Sequence, residues 1–595
     1  MQTLSNIPGL LLANLLAALL VACSHPPPLP DAAAIAPEAP SALTQQHGGR
    51  FDRQAVAAAH PMAAEAGAAV LRAGGHAVDA AVAVQFVLGV VEPQSSGLGG
   101  GAFLLVHDGH TVHAYDGRET APRGVDERLF LGPDGRPLPF DVAVTSGRAV
   151  GVPGAVAMLE LAHRRHGRLP WARLVEPAIR LADEGFAVTP RLHTLLDQDP
   201  HLRSHPAARQ LYYDAQGQAW PVGHRLRNPA LADTLRHIAR DGARALHEGP
   251  IATAIAQAVQ GHPQLPGTLD EQDLRGYQPR VRAALCHPLP TPERRYRVCG
   301  FPPPSSGAIA VGQILSLLQA ATETTPAHPG SVAWLHTYAE AARLAFADRA
   351  LYLADPDFVP PPAGDWHSLL APDYLRERVR LIGPHARPDA PAGRPGSTPT
   401  ALAPMAEQPE RGTSHVSVVD ADGHAVALTT TIESAFGTRT LVAGFLLNNQ
   451  LTDFSFLPHD RQGRPVANRV EPGKRPRSSM APTLVFDDTT GELVLSTGSP
   501  GGAMIIHYTA KALHGMLVQG LTPQAAIDLP NLGTTGGPLL LEQGRFAPAT
   551  AAGLRALGHT VQEVPLTSGL QALRRQPRGL EGGADPRREG AVAGD

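Results

Sequence analysis

Residues 412–431 read GTSHVSVVDADGHAVALTTT, two runs rich in β-branched residues on either side of a polar turn. The runs are Thr413–Val419 and His424–Thr431, and Asp420-Ala421-Asp422-Gly423 lies between them. An Asp-Gly turn flanked by β-forming runs is typical of a hairpin. The sequence therefore predicts two adjacent antiparallel strands here.

The position of the turn sets which threonines of this hairpin meet. A two-residue turn within residues 421–423 makes Thr413 face Thr430 or Ile432, with Thr431 adjacent or diagonal across the ladder. Neighbours across a ladder lie close enough for side-chain contact. We therefore expect the hydroxyls of Thr413 and Thr431 to approach each other, although threonine is common in strands.

The composition of the whole chain restricts its class. The chain has 595 residues, of which 43% are hydrophobic and 17% charged, so it is neither disordered nor a polyelectrolyte. Its 50 basic and 54 acidic residues leave a net charge of -4, which argues against a nucleic-acid-binding protein. Three scattered cysteines are too few for a zinc module or a disulfide scaffold.

The amino-terminal segment indicates export. Leu10–Ala22 is an apolar run of signal-peptide length, and the stretch Leu20-Val21-Ala22-Cys23 at its end resembles a bacterial lipoprotein cleavage site. We assign residues 1–23 to a lipoprotein-type signal and 24–50 to a flexible Pro/Ala-rich tether. A plain secretory signal with an incidental cysteine is the alternative. Both interpretations place the protein in the periplasm, with an outer-membrane lipid anchor in the first.

The other two cysteines lie in strand-like runs. Cys286 falls in Val281–His287 and Cys299 in Tyr296–Phe301, with a proline-rich stretch between the runs. A hairpin would bring the two thiols together, and an exported protein permits a disulfide. Two buried free thiols remain the alternative.

Two helices and a glycine loop are predicted elsewhere. His76–Val91 and Trp334–Ala354 have helical apolar spacing. The loop 97–102 matches a loose dinucleotide-binding pattern, but a helix precedes it and a hairpin follows. A dinucleotide site needs the reverse order, so we reject that interpretation.

The junction of Gly412 and Thr413 favours a specific chemistry. A threonine that becomes a chain terminus can act as a nucleophile, because its free α-amine lies beside the hydroxyl as a base. Cleavage just before Thr413 would create such a terminus, and Gly412 offers an unhindered carbonyl to the hydroxyl.

From about residue 55 to the end, the chain resembles the γ-glutamyltransferase family of N-terminal-nucleophile hydrolases. The shared motifs are GGHAVDAA (74–81), VEP (91–93), GLGGG (97–101), YDGRETAP (115–122), PPPSSG (302–307), TSHVSVVD (413–420), LLNNQLTDF (446–454), KRPRSSMAPT (474–483) and GSPGG (498–502).

The resemblance implies an α+β fold, the αββα sandwich, built jointly by two pieces of one precursor. It implies self-cleavage between Gly412 and Thr413, giving a large subunit, 51–412, and a small subunit, 413–595. Thr413 would be the nucleophile, its freed amine the base, and Thr431 would orient the hydroxyl.

The resemblance also assigns an oxyanion site to two glycines. Gly501 and Gly502 would present backbone N–H groups to the tetrahedral intermediate, since glycine lets the backbone approach closely. From the sequence alone, a simple turn after the strand Leu493–Thr497 is the favoured interpretation of these residues.

Three residues would bind the donor's α-carboxylate. Arg118 suits bidentate capture of a carboxylate, and Ser478 and Ser479 would add hydroxyl donors. Without the resemblance, a salt bridge of Arg118 with Glu119 or Asp116 is the simpler interpretation.

Another group would bind the donor's α-ammonium. Asp453 would accept from it, assisted by Gln450. Glu433 stands where better-known members of the family carry Asn, so it adds charge and lacks the amide donor. We interpret His415, two residues after the nucleophile, as structural.

The sequence thus predicts an exported γ-glutamyltransferase or glutathione hydrolase. It would act on glutathione or other γ-glutamyl amides and pass the acyl group to water or an amine. No cofactor, metal ion or nucleic acid is predicted. A cephalosporin (glutaryl) acylase of the same fold is the nearest alternative, and a non-maturing cell-envelope binding protein is an alternative of another class.

Overall fold

The computed structural model describes residues 48–324, 327–397, 400–406 and 408–595. The predicted signal, Cys23 and most of the predicted tether lie outside the described residues. The tether was predicted to reach residue 50, but Arg50 already belongs to a strand, Arg50–Phe51. Within the described residues, none of the helices combines the length and apolarity needed to cross a bilayer.

Two seven-stranded antiparallel sheets form the centre of the fold. Numbered along the chain, the first sheet contains, in spatial order, β1 (Arg50–Phe51), β20 (Leu580–Ala584), β19 (Gln571–Arg575), β15 (Leu493–Gly498), β14 (Thr483–Asp487), β9 (Arg295–Gly300) and β8 (Leu285–Pro290). The second contains β21 (Ala591–Gly594), β2 (Ala55–Ala58), β10 (Ser414–Val419), β11 (Ala425–Thr431), β3 (Gly101–His107), β4 (Val112–Gly117) and β7 (Arg280–Ala283).

Short strands pair outside these sheets. They are β5 (Phe186–Ala187) with β6 (Arg225–Leu226), β12 (Leu441–Val442) with β13 (Phe445–Leu446), and β16 (Leu532–Gly533) with β17 (Leu539–Glu542) and β18 (Val561–Val564).

The α-helices of the described residues lie between these strands along the chain. They are Pro61–Arg72, Ala77–Val91, Phe140–Val144, Ala155–His166, Trp171–Glu184, Pro190–Gln198, Pro206–Tyr212, Pro229–Asp241, Arg244–His247, Gly249–Gln260, Glu271–Gly276, Gly307–Thr324, Val332–Tyr352, Pro372–Val379, Ile505–Leu517, Pro523–Asp528 and Pro548–Ala556.

The two sheets pack against each other, and helices cover both outer faces. Alternation along β11 shows this arrangement: Val426 and Leu428 join the core with the helices Pro61–Arg72 and Ala77–Val91. Ala425 and Ala427 join the core between the sheets, which also contains residues of Ile505–Leu517. Because successive side chains of a strand point to opposite faces, one strand contributes to both cores. The αββα sandwich is thereby confirmed.

The predicted hairpin is present, but both predicted registers are wrong. Ser414 pairs with Thr430 and His415 with Thr429, which places Thr413 opposite Thr431. The loop between the strands has three residues rather than two, closed by a hydrogen bond from the Asp420 N–H to the His424 carbonyl. An odd loop length shifts the register by one residue relative to a two-residue turn.

The cysteine hairpin also departs from its predicted limits. The run Val281–His287 is not one strand: β7 ends at Ala283 in one sheet, and β8 begins at Leu285 in the other. Cys286 lies opposite Cys299, and the two form a disulfide. The free-thiol alternative does not hold in this structure.

The two predicted helices are present, with slightly different ends. Ala77–Val91 is capped by His76, whose side chain accepts from the Val78 N–H, and the second helix is Val332–Tyr352. The glycine loop 97–102 leads from the first of these helices into the β3–β4 hairpin, as expected.

Candidate active site

The two candidate threonines lie at the ends of two central strands of the second sheet. Thr413 immediately precedes β10, and Thr431 is the last residue of β11. These strands lie between β2 and β3, and both threonines are buried. Thr431 pairs with Gly101 of β3, and Thr413 precedes the part of β10 that pairs with β2.

The Thr431 hydroxyl contacts the peptide bond that precedes Thr413. It donates to the Gly412 carbonyl oxygen at 3.4 Å and accepts from the Glu433 N–H at 2.8 Å. Arg588 Nη1 donates to the Thr413 carbonyl at 2.9 Å. Gly412 has a φ of +58°, and a Cβ there would lie 2.1 Å from the Glu433 carbonyl oxygen. Glycine is therefore required at this junction.

The two glycines of the predicted oxyanion site follow β15 of the first sheet. Gly501 and Gly502 have φ of +131° and +56°. A Cβ on Gly502 would lie 1.8 Å from the Glu410 carbonyl oxygen. The segment that precedes the Gly412–Thr413 bond is thus packed directly against Gly502.

Arg118 and Asp453 form a buried ion pair beside Thr413. Arg118 Nη2 lies 2.5 Å from Asp453 Oδ2 and 2.9 Å from the Arg477 carbonyl oxygen, and Gln450 Nε2 lies 2.7 Å from the same Asp453 oxygen. Glu119 is 3.9 Å from the Arg118 guanidinium. Asp453 Oδ1 and Gln450 Oε1 have no hydrogen-bond partner among the described residues. The site thus holds unused acceptors.

The acidic side chains of the site are strongly affected by burial. Burial raises the pKa of Asp453 well above its usual range; Arg118 opposes this shift, and the charges of Glu433 and Glu410 add to it. Burial likewise raises the pKa of Glu433. A group of buried carboxylates favours a bound cation.

Glu433 is the residue where the sequence departs from the family pattern. It has a φ of +74°, and its carboxylate accepts from the Arg411 N–H at 2.9 Å, the Ser434 hydroxyl at 2.7 Å and the Asn449 amide. Its carboxylate is therefore already bonded in the uncut chain.

The two serines hold different positions. Ser478 Oγ accepts from the Met480 N–H at 3.1 Å. Ser479 Oγ lies 2.5 Å from Glu410 Oε2 and 2.6 Å from Arg349 Nη2. Arg349 Nη2 also lies 2.5 Å from Glu410 Oε1.

Sequence reasoning missed Arg349 and Glu410. Arg349 lies in the last turn of Val332–Tyr352, far from the other site residues along the chain. Glu410 lies two residues before Gly412, and this charged pair of residues, Glu410-Arg411, next to the predicted cleavage point was an available signal.

A single small cavity joins most of these residues. Its volume is about 20 Å³, enough for one water molecule. Its lining contains nine of the predicted active-site residues: Arg118, Thr413, Thr431, Glu433, Gln450, Asp453, Ser478, Ser479 and Gly502. Gly412 and Gly501 are absent from the lining, and four unpredicted residues belong to it: Glu410, Arg411, Met480 and Ile505. Larger cavities, of about 600 Å³, lie elsewhere and do not include Thr413.

His415 does not line the cavity at Thr413. Its Nδ1 is 2.8 Å from Thr429 Oγ1, and its Nε2 is 3.2 Å from Ser417 Oγ. Burial lowers the pKa of His415 to about 3, so the ring is neutral at ordinary pH.

Two clusters elsewhere in the described residues contain metal-ligating side chains: His76 with Asp420 and His424, and His336 with Glu340 and His559. Hydrogen bonds account for both. His336 Nδ1 lies 2.8 Å from His559 Nε2, and His424 Nδ1 lies 2.9 Å from Asp420 Oδ2. Neither cluster lines the cavity at Thr413.

Comparisons with known proteins agree with this geometry. The family model for gamma-glutamyltranspeptidase matches residues 63–595. The glutathione hydrolase proenzymes of Bacillus subtilis (strain 168) and Escherichia coli (strain K12) are each 36% identical, over 91% of this chain and 91% of the relative. The crystal structure of a cephalosporin acylase from Bacillus halodurans is 27% identical with a TM-score of 0.79, covering 94% of this chain and 99% of that one.

Proposed function

The chain belongs to the gamma-glutamyltranspeptidase family, and we propose that it is a self-processing γ-glutamyltransferase and glutathione hydrolase whose nucleophile is Thr413. Its donors are glutathione and other γ-glutamyl amides. Its acceptors are water and the amines of amino acids or peptides.

Maturation begins at the Gly412–Thr413 bond. The Thr413 hydroxyl attacks the Gly412 carbonyl, which the Thr431 hydroxyl polarises by its hydrogen bond. The acyl group moves from nitrogen to oxygen, and water hydrolyses the resulting ester. Gly412 becomes a carboxyl terminus, and Thr413 gains a free α-amine that serves as a base.

Catalysis follows the same pattern. Thr413 Oγ attacks the donor's γ-carbonyl while the α-amine takes the hydroxyl proton. The N–H groups of Gly501 and Gly502 stabilise the oxyanion. The amine leaving group departs with the proton, and the γ-glutamyl ester passes to water or to an amine.

One observation carries this proposal: complementary groups for an amino-acid head surround Thr413. Asp453 Oδ1 and Gln450 Oε1 are buried acceptors without partners in the described chain, suited to the α-ammonium with Glu433. Arg118, Ser478 and Ser479, which line the same cavity, supply donors for the α-carboxylate.

A cephalosporin acylase is the second candidate, supported by the close structural match to the Bacillus halodurans enzyme. A glutaryl group lacks the α-ammonium, so that substrate would leave Asp453 Oδ1 without a hydrogen-bond donor. The deciding experiment compares hydrolysis of γ-glutamyl-p-nitroanilide and glutaryl-p-nitroanilide by the purified protein. We expect the γ-glutamyl donor to have the higher kcat/KM; a clear preference for the glutaryl donor would favour the acylase, and turnover of neither would favour a binding protein.

We propose that the enzyme is exported to the periplasm and held at the outer membrane by lipid on Cys23. The apolar run Leu10–Ala22 and the resemblance of Leu20-Val21-Ala22-Cys23 to a bacterial lipoprotein cleavage site support this. Cys23→Ser should move the protein from the membrane to the soluble fraction. An unchanged distribution would argue for a plain secretory signal.

A further inference from the structure

The uncut chain holds one of its own carboxylates in the candidate active site. One oxygen of Glu410 lies 2.5 Å from Arg349 Nη2, and the other lies 2.5 Å from Ser479 Oγ. Arg349 Nη2 also donates to Ser479 Oγ at 2.6 Å, so the three groups form a closed ring. A guanidinium and a hydroxyl can together donate hydrogen bonds to both oxygens of a carboxylate.

Glu410 cannot stay in this position when a donor is bound. Its backbone oxygen is packed on Gly502, and the remaining cavity has a volume of only about 20 Å³. A γ-glutamyl group is far larger than one water molecule. Cleavage at Gly412 frees the end of the segment that carries Glu410, so that the segment can leave.

Departure of Glu410 leaves Arg349 as a buried cation. Glu410 is the only carboxylate within 4 Å of Arg349 among the described residues. The remaining partners, the hydroxyls of Ser306 at 2.9 Å and Ser479, are neutral. A buried guanidinium without an opposite charge is unfavourable, so the emptied position attracts another carboxylate.

Arg118 is less available for that carboxylate than its position in the family motif implies. Its Nη2 bonds to Asp453 and to the Arg477 carbonyl, and its Nε bonds to the Pro476 carbonyl. Asp453 also balances its charge. Arg118 Nη1, which lies 3.9 Å from Glu119 Oε2, can still donate to the α-carboxylate, and a second cation beside Ser479 would add to its hold.

We propose that Arg349 determines donor specificity: with Ser479, its guanidinium takes the α-carboxylate of the γ-glutamyl donor in the place that Glu410 occupies before cleavage. This inference rests on the proposed function. Glu410 then acts as an internal stand-in for the donor carboxylate, which keeps the site filled until the chain is cut.

The test compares three anilides with Arg349→Gln and the parent enzyme. γ-Glutamyl-p-nitroanilide carries the carboxylate and the ammonium, glutaryl-p-nitroanilide only the carboxylate, and 4-aminobutanoyl-p-nitroanilide only the ammonium. Rates are divided by the concentration of cleaved protein, so that incomplete maturation of a variant is not counted as a lower kcat. An anilide that is not turned over is measured as a competitive inhibitor.

We expect Arg349→Gln to weaken the two carboxylate-bearing anilides about 10- to 100-fold, mainly through KM, as loss of a charged hydrogen bond does. The 4-aminobutanoyl anilide should change less than about threefold, because it has no carboxylate for Arg349 to bind. Arg349→Lys keeps the positive charge, so we expect a smaller loss of activity, again confined to the two carboxylate-bearing anilides. If Arg349→Gln is not cleaved, the comparison of the three anilides is made with Arg349→Lys instead.

Arg380→Gln is the control, since it removes the same charge from an exposed position. Equal losses on all three anilides, or none on the γ-glutamyl anilide, would overturn the role of Arg349. A parent enzyme inactive on γ-glutamyl-p-nitroanilide would instead contradict the proposed function.

Discussion

The Thr431 hydroxyl donates a hydrogen bond to the Gly412 carbonyl oxygen at 3.4 Å, across the β10–β11 ladder. The same hydroxyl accepts from the Glu433 N–H, which fixes the direction in which its proton points. The carbonyl that the nucleophile must attack is therefore polarised by a group on the neighbouring strand.

Removing this hydroxyl should slow self-cleavage. Thr431→Val keeps the shape of the side chain but loses the donor, and we expect conversion of the precursor to slow roughly 100-fold, as for loss of one oxyanion donor. Thr431→Ser should recover most of the rate. The measurement is the time course of precursor loss on a denaturing gel.

Thr430→Val is the matched control, because Thr430 is buried in the same strand but its hydroxyl points to the Gly101 carbonyl. It should mature close to the parent rate. Equal rates for Thr431→Val and the parent would show that the hydroxyl has no part in cleavage.

A methyl group at Gly502 should block maturation. Its Cβ would meet the Glu410 carbonyl at 1.8 Å, and its φ is +56°. Backbone cannot move aside as easily as a side chain, so we expect most of Gly502→Ala to remain uncleaved. Gly491→Ala is the control for backbone strain alone, since Gly491 also has a positive φ, +77°, but has open space where the new Cβ would lie. We expect it to be cleaved normally. Normal cleavage of Gly502→Ala would mean that the segment 410–412 packs differently.

The proposed binding site for the donor's α-ammonium predicts that a change at Asp453 lowers activity mainly on donors that carry an ammonium. Asp453→Asn removes the charge from the buried acceptor, and we expect kcat/KM for γ-glutamyl-p-nitroanilide to fall roughly 30-fold or more. The glutaryl anilide has no ammonium and should be affected much less. Asp373→Asn, at an exposed position, serves as the control. The same loss on both anilides would indicate that Asp453 only supports the fold.

Glu119 predicts a pH-dependent stability difference. Burial raises its pKa from 4.5 to about 7, against the effect of Arg118, and neither carboxylate oxygen has a hydrogen-bond partner among the described residues. A raised carboxyl pKa means that the folded state binds the proton more tightly than the unfolded state. Stability is therefore lost as the pH rises from about 4.5 to about 7 and is level above that.

Glu119→Gln should remove this loss of folding stability at rising pH, because glutamine does not titrate. In an uncleaved Thr413→Ala background, its melting temperature should match the background near pH 4.5 and exceed it above pH 7, by an amount equivalent to roughly 3 kcal/mol at most. Other titrating groups are common to both proteins and cancel in the comparison. A difference that does not vary with pH would contradict the raised pKa.

The hairpin shows how far local sequence reasoning reaches. Its two strands and its turn follow from the β-branched runs and the Asp-Gly pair. The register of the two strands could not be predicted in this way. Gly423 adopts a left-handed φ of +86° in a three-residue loop, and nothing in the sequence distinguishes that loop from a two-residue turn.

The candidate site also combines residues that the sequence predicts with residues that it does not. Most of the residues that line the cavity lie in the motifs shared with the family. Some of them stand beside strand ends, since Arg118 follows β4 and Gly502 follows β15. Arg349 was missed because its partner Glu410 lies on another segment, and their pairing exists only in the folded chain. The break of residues 281–287 between two sheets was missed for a related reason: both halves have strand propensity, and only tertiary packing separates them.

The most direct test of this account is the mass and amino-terminal sequence of the purified protein. We expect two chains, the smaller one starting at Thr413 and containing 183 residues, while Thr413→Ala remains a single inactive chain. A fully active enzyme with an intact Gly412–Thr413 bond, or a smaller chain that starts at another residue, would contradict it.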